Sequence, residues 1–314
     1  VTQGRDAYNN YIVTKEIKDL DRGTDMAVLA KDSEPSYNGT YELLSGLGFA
    51  YLQSEKYDKA TTIFQNITEY KPFESALGLG LVYGEQGNYA KALNAFDEAT
   101  QLNPSDAYAW SNKGVILIKQ RNYLEAVNAF DNATKLDQEY ATSWKYKGDA
   151  LTHLGENSRD KYIEAIKAYN KATKLNPQYE SAWYNKGVAL YKLEIYDEAI
   201  KAYDETIKLN SSDGDAWYYK GLALYKLGNY DEAIKAYDET IKLNSSNGDA
   251  WYYKGLALYK LENYDEAIKA YDETIKLNSS NGDAWYYKGL ALYKLENYDE
   301  AIKAYDETIK LNSS

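Results

Sequence analysis

Reactive side chains are scarce in this chain. It has one histidine, His153, and no cysteine. The missing thiols remove disulfides, thiolate metal sites and thiol nucleophiles together. His153 lies in a helical pattern with no second histidine and no nucleophile signature, which points to a structural role. Carboxylates are plentiful, but they come as adjacent pairs such as Asp231-Glu232 and Asp238-Glu239 at repeated places. Lys235 and Lys242 interleave with them at the spacing of helical ion pairs, the mark of a solvated face. A metal site needs carboxylates converging from several segments, and a phosphate site needs a glycine-rich loop; the sequence offers neither. No enzyme activity, cofactor or metal is therefore expected. What the chain carries in excess is phenol: 35 Tyr against 5 Phe and 6 Trp. A tyrosine supplies apolar area and one hydroxyl that seeks a partner, which suits half-buried positions and binding surfaces.

The elements that hold those tyrosines repeat. Trp217, Trp251 and Trp285 stand 34 residues apart, and GDAWYYKGLALYKLGNYDEAIKAYDETIKLNSS, from Gly214 to Ser246, recurs almost letter for letter from Gly248 and from Gly282. A fixed period of this size marks a stacked array of supersecondary units. At 314 residues a single compact core is near its limit, so an array or two domains is expected in any case. Each period predicts two helices. The first, over about 215–227, carries Trp217, Gly221, Leu224 and Tyr225 on one stripe; the second, over about 230–243, carries Tyr230, Ala233, Ile234, Tyr237 and Ile241. Gly228-Asn229 separates them, Asp231 and Glu232 suit the new first turn, and Lys242 suits the last. The small residues Gly221 and Ala233 predict a close helix crossing. A helical Gly costs about 1 kcal/mol relative to Ala, and repeating that cost implies a need for the space. Trp217 and Tyr237 are the large side chains expected to fill the gaps beside it.

Trp217, Gly221, Tyr230, Ala233 and Tyr237, in this spacing, resemble the tetratricopeptide repeat family. The glycine recurs at Gly48, Gly80, Gly114, Gly148, Gly187, Gly221, Gly255 and Gly289. The alanine recurs at Ala60, Ala92, Ala126, Ala165, Ala199, Ala233, Ala267 and Ala301. The aromatic one turn beyond it is Phe64, Phe96 and Phe130, then Tyr from Tyr169 to Tyr305. The resemblance thus implies an all-α, right-handed solenoid of antiparallel helix pairs. Its eight units span about 41–72, 73–106, 107–140, 141–179, 180–213, 214–247, 248–281 and 282–314. Residues 1–38 do not repeat. A helix over 8–20, with Tyr8, Ile12, Val13 and Ile17 on one stripe, reads as a cap for the open end of the array, or as a linker, and 30–38 as connector. Departures from the pattern are visible too. Leu44 and Ala76 replace the Trp, Ser211, Ser245 and Ser279 replace the closing Pro, and Gly214, Gly248 and Gly282 are expected to make that turn. Thr206, Thr240, Thr274 and Thr308 stand for Ala. The fourth unit has five extra residues, expected in its inter-helix loop at Glu156 to Lys161.

In the resembled family the first helices line a concave face. By register, that face would present Tyr184 and Tyr191, then Asp215, Tyr218, Tyr219, Leu222, Tyr225 and Lys226. The same set recurs as Asp249, Tyr252, Tyr253, Leu256, Tyr259 and Lys260, and as Asp283, Tyr286, Tyr287, Leu290, Tyr293 and Lys294. Rigid aromatics give contact area at low entropic cost, so the expectation is a tyrosine-walled groove for an extended or helical peptide. The competing reading is that these tyrosines only pack repeat on repeat. A family branch that grips C-terminal carboxylates through Lys and Asn is not matched, because Tyr218 and Leu222 stand at those places. The first two units offer Gly46, Gly78, Phe49 and Leu81 and no tyrosine wall, which raises the prospect of two functional halves.

The function expected is a non-enzymatic scaffold that binds a protein or peptide. The alternatives are a self-assembling structural solenoid, joined head to tail through its terminal repeats, or the targeting arm of a larger protein. A net charge of −12 repels phosphate backbones, so no nucleic-acid partner is expected. No apolar run reaches the roughly 18 residues of a membrane helix, so no membrane insertion is expected either. Val1 in place of an initiator Met, and Asn-X-Ser/Thr sequons at Asn38, Asn66, Asn132, Asn210, Asn244, Asn278 and Asn312, leave a cytoplasmic and a secreted or surface origin both open.

Overall fold

The computed structural model describes residues 17–33, 38–156 and 158–312. Among these residues all regular structure is α-helical. The chain divides into two compact units, 1–154 and 155–314. The first holds α1 (Ile17–Ser33), α2 (Asn38–Gln53), α3 (Tyr57–Ile67), α4 (Pro72–Glu85), α5 (Tyr89–Leu102), α6 (Ala107–Lys119), α7 (Tyr123–Leu136) and α8 (Ala141–Gly155), whose last residue marks the division. The second holds α9 (Arg159–Leu175), α10 (Glu180–Lys192), α11 (Tyr196–Leu209), α12 (Gly214–Lys226), α13 (Tyr230–Leu243), α14 (Gly248–Lys260), α15 (Tyr264–Leu277), α16 (Gly282–Lys294) and α17 (Tyr298–Asn312). Within each unit successive helices pack on one another. The first helices of neighbouring repeats also touch directly, α2 with α4, α4 with α6, α10 with α12, α12 with α14 and α14 with α16. The fold is an α-solenoid of stacked helix pairs.

Local chemistry ends each helix where the repeat requires it. After α12 the chain turns through Gly228 at φ +82°, and after α14 and α16 through Glu262 and Glu296 at φ +62° and +61°. This left-handed residue lets the next backbone N–H close on the helix, as Asn229 N does on the Leu224 carbonyl. The connection to the next repeat is an asparagine turn. Asn244 Oδ1 accepts from the N–H of Ser246 at 3.1 Å, and Asn247 then caps α14 by accepting from Ala250 N at 3.0 Å. Gly214, Gly248 and Gly282 therefore do not make the turn. They are the first residues of their helices, capped by Asp213, Asn247 and Asn281. A Cβ on Gly248 would lie 4.0 Å from Leu277 Cβ at the end of α15, the second helix of its own repeat, an ordinary contact.

The small helical glycines do what their repetition implies. A Cβ on Gly221 would lie 2.6 Å from Tyr237 Cε1, and one on Gly255 2.6 Å from Tyr271 Cε1; in the first unit Gly80 and Gly114 meet Phe96 and Phe130 at 2.8 and 2.6 Å. Each ring lies on bare backbone, and Tyr237 is 0% exposed beside fully buried Ala233. The tryptophan expected to share this task has a second one. Trp217 is half-buried, its Nε1 donates to the Ser211 carbonyl at 3.1 Å, and Lys220 Nζ sits 5.1 Å from its ring centre. It packs against the core cluster around Ala233 and Tyr237 and also pins the incoming turn. Thr206, Thr240 and Thr274 are buried and satisfy their hydroxyls by donating to the carbonyl four residues back, each at 3.1 Å.

Two segments differ from their sequence reading. The extra residues of the fourth unit are not all loop, because α9 starts at Arg159 and takes Arg159 to Lys161 into a 17-residue helix. Asp160 in its first turn and helix-tolerant neighbours allow that extension. The helix expected over 8–20 lies largely outside the described residues; α1 begins at Ile17 and continues through Ala30 to Ser33, which composition assigns to connector. Leu20 and Ala27 bury this helix against α2, and the Tyr51 hydroxyl donates to the Asp21 carboxylate.

Candidate partner-binding face

The side-by-side first helices of the second unit bring most of the expected site together. Tyr218 lies 6.2 Å, ring centre to ring centre, from Tyr253 of the next repeat, and Tyr225 lies 6.2 Å from the same ring. Tyr252 and Tyr259 repeat this with Tyr287 at 6.2 and 6.3 Å. Tyr184 and Tyr191 do so with Tyr219 at 6.1 and 6.4 Å. Tyr219, Tyr253 and Tyr287 are thus wedges between repeats, each also stacked on the buried ring below, Tyr203, Tyr237 or Tyr271, at 6.2 Å. The rings pack repeat on repeat, and together they form one continuous aromatic sheet on the first helices.

The other expected residues sort by depth. Asp215, Asp249 and Asp283 are exposed in the first turns, and Lys226, Lys260 and Lys294 are exposed in the last turns. Because the first helices lie side by side, one edge of the sheet is lined by acids and the other by lysines. Leu222 and Leu256 are not wall residues. They are 8% exposed and belong to the core beneath, while Leu290 of the last repeat is half-exposed. Tyr286 and Tyr293, with no following repeat among the described residues, stand 44% and 55% exposed.

Burial sets the electrostatics. It holds the phenols of Tyr184, Tyr218 and Tyr252 well above the usual tyrosine range, with Asp215, Asp249 and Asp283 of the following repeats pushing the same way. Tyr191 is raised to about 12 by the same desolvation. The hydroxyls of Tyr203, Tyr237 and Tyr271 are buried and have no hydrogen-bond partner. They remain neutral donors under the sheet.

Two sets of contacts lie outside the sequence expectations. Tyr196, Tyr230 and Tyr264, which open second helices, each lie 5.3 Å from Tyr191, Tyr225 and Tyr259 and thicken the wall. Lys220, Lys254 and Lys288 reach back to Asp204, Asp238 and Asp272 of the preceding repeat, each at 2.6 Å. The 16-residue separation of Asp and Lys, which recurs at Asp97 and Lys113 and at Asp131 and Lys147, is the available signal. Elsewhere, His153 is exposed and stacks on Tyr123 at 4.4 Å, in keeping with a structural role. Among the described residues no helix is long and apolar enough to cross a membrane.

Known proteins carry the same architecture. The tetratricopeptide repeat family model matches residues 45–107, 77–126, 117–160, 194–247, 218–273 and 254–314, and a second model described as TPR repeat matches 156–194. Among solved structures, YrrB, described as a TPR protein with an unusual peptide-binding site, is 25% identical with a TM-score of 0.57, covering 63% of this chain and 99% of its own. MamA protein is 26% identical with a TM-score of 0.53, covering 56% and 93%. The C-terminal part of a TPR repeat-containing protein from Cytophaga hutchinsonii, 17% identical, shares the fold with a TM-score of 0.63 over 77% of this chain and 96% of that one. No curated protein matches the chain significantly. With repeat matches running from residue 45 to residue 314, the chain belongs to the tetratricopeptide repeat family.

Proposed function

We propose that the tyrosine sheet on the first helices of the second unit is the docking face of a protein-interaction scaffold, and that it takes an extended or helical peptide segment. The observation that carries this reading is the aromatic sheet itself. The first helices of four repeats present phenols in one register, half-exposed in three and exposed at Tyr286 and Tyr293 in the last, and Asp215, Asp249 and Asp283 line one edge while lysines line the other. Packing alone does not require phenol there, because the third repeat carries Ser111, Asn112 and Ile118 at the register of Tyr218, Tyr219 and Tyr225. A face of rings with hydroxyl tips gives contact area and donors to a peptide backbone at low rotamer cost. The peptide-binding site named for YrrB supports the reading by likeness.

The test uses peptides selected from a displayed library on the whole protein. Alanine at Tyr218, Tyr252 and Tyr286 together should weaken the selected peptides by more than about tenfold, as loss of aromatic anchors does. Helicity should persist, and Lys235→Ala with Lys269→Ala on the second helices should leave binding unchanged. Equal binding by the tyrosine variant would remove the proposal. Self-association is a second reading, favoured by the exposed Tyr298, Ile302 and Ile309 along α17. Light scattering across a concentration range should then show growth in mass that Ile302→Lys abolishes; a constant monomer mass would end it.

A further inference from the structure

We infer that the first unit holds a separate pocket for one aromatic side chain, tyrosine or phenylalanine, of a partner peptide. The array supplies its own template for that pocket. Aligned on the helical glycine, Tyr225 stands four residues after Gly221 and Tyr253 two before Gly255; these two rings meet edge-on and fill the space between α12 and α14. The pairs Tyr191–Tyr219 and Tyr259–Tyr287 fill the same space in the neighbouring repeats. At the matching places of the first unit stand Gly84, four after Gly80, and Asn112, two before Gly114. Both rings are missing at once, and a cavity of about 380 Å³ opens between α4 and α6.

The lining fits an uncharged ring. Gly80, Gly84 and Val115 supply a thin apolar wall, and the rings of Tyr89, Phe96 and Tyr146 complete the lining. Glu85 and Lys119 both line the cavity, so the rim carries one charge of each sign. A charged ligand would face its like on one side; a neutral ring on a peptide backbone faces neither. Asn112 Nδ2 donates to the Tyr108 carbonyl at 2.8 Å, which leaves its Oδ1 able to accept from a phenol. A second cavity of about 460 Å³, lined by Phe49, Leu52 and Leu77, shares Leu81 and Glu85 with the first and gives room for a flanking apolar residue.

The test titrates p-cresol and, as an aliphatic control, n-pentanol into the isotope-labelled whole protein while the Gly80, Gly84 and Asn112 amides are followed by NMR. Binding of p-cresol should be saturable in the millimolar range, as its size allows, and at least about tenfold tighter than pentanol. Asn112→Tyr should place the chain's own ring in the cavity, abolish the p-cresol shifts and raise the melting temperature. No saturable shift in the wild type, equal affinity for pentanol, or unchanged p-cresol binding in a folded Asn112→Tyr protein would each overturn the inference. If that variant does not fold, the wild-type cresol-against-pentanol comparison still decides. The outcome is independent of the second-unit face, whose tyrosines take no part.

Discussion

The two compact units solve the same packing problem with different rings. In the first, Phe64, Phe96 and Phe130 lie on the helical glycines, and their neighbours on the first-helix face include Gly78, Gly84 and Asn112. In the second, Tyr203, Tyr237 and Tyr271 occupy that place, and Tyr219, Tyr253 and Tyr287 stack on them from the first helices of the following repeats. Phenylalanine leaves nothing unsatisfied. Tyrosine buries a hydroxyl with no partner, at a cost of about 1–3 kcal/mol each. The difference shows which features serve the fold and which are additional to it. The glycine–ring lock is common to both units, whereas the phenols belong to one.

The comparison can be broken most forcefully at the lock. Tyr237→Ala should cost roughly 3–5 kcal/mol in urea unfolding, as should Phe96→Ala, because either leaves a ring-sized hole between helices. A much smaller loss for one of them would mean that the two units are not built alike. Adding a methyl group where the ring lies on backbone is the milder version. Gly255→Ala should destabilise by about 1–3 kcal/mol through overpacking, against the roughly 1 kcal/mol that helix propensity returns.

Alkaline pH sharpens the contrast. The phenols of Tyr203, Tyr218, Tyr237, Tyr252 and Tyr271 are raised by burial, so they stay neutral when folded, while in the unfolded chain they ionise near 10.0. Their stabilisation is whole below that pH and is lost as pH climbs from 10.0 toward the raised values. Helicity and tyrosinate absorbance should therefore change together above that point. The joint variant Tyr203→Phe, Tyr237→Phe, Tyr271→Phe should move the transition upward. At neutral pH each of these changes should be stabilising by about 1–3 kcal/mol, since it removes an unpartnered hydroxyl. A loss of stability would reveal a partner for the hydroxyl. The smallest effect belongs to the turn: Glu262→Gly should stabilise by about 0.5–1 kcal/mol, because Glu262 occupies the left-handed region where Gly228 sits unstrained.

Much of this was legible in the sequence because the period multiplies weak signals. One Gly and one Ala in a helix mean little; the same pair at one register through the array predicts a close crossing, and Gly221 against Tyr237 bears it out. Misreadings came where a residue has two physical uses. Gly214 was assigned to a turn, but Asn210 and Asp213 make and cap it. Trp217 packs on the core as its size implies, and its N–H is in addition drawn to the Ser211 carbonyl at the surface. Leu222 was placed on the wall by register and lies beneath it, because the tyrosines beside it reach farther out. The cavity at Gly84 and Asn112 was invisible, since an empty space depends on which two side chains are absent together across separate repeats.

The account stands most directly on carbon-13 NMR of tyrosine rings with a selected peptide bound to the whole protein. It predicts that the resonances of Tyr218, Tyr225, Tyr252 and Tyr259 shift with saturation while the second-helix face does not respond. Shifts confined to the second helices, or none among these four tyrosines, would contradict it.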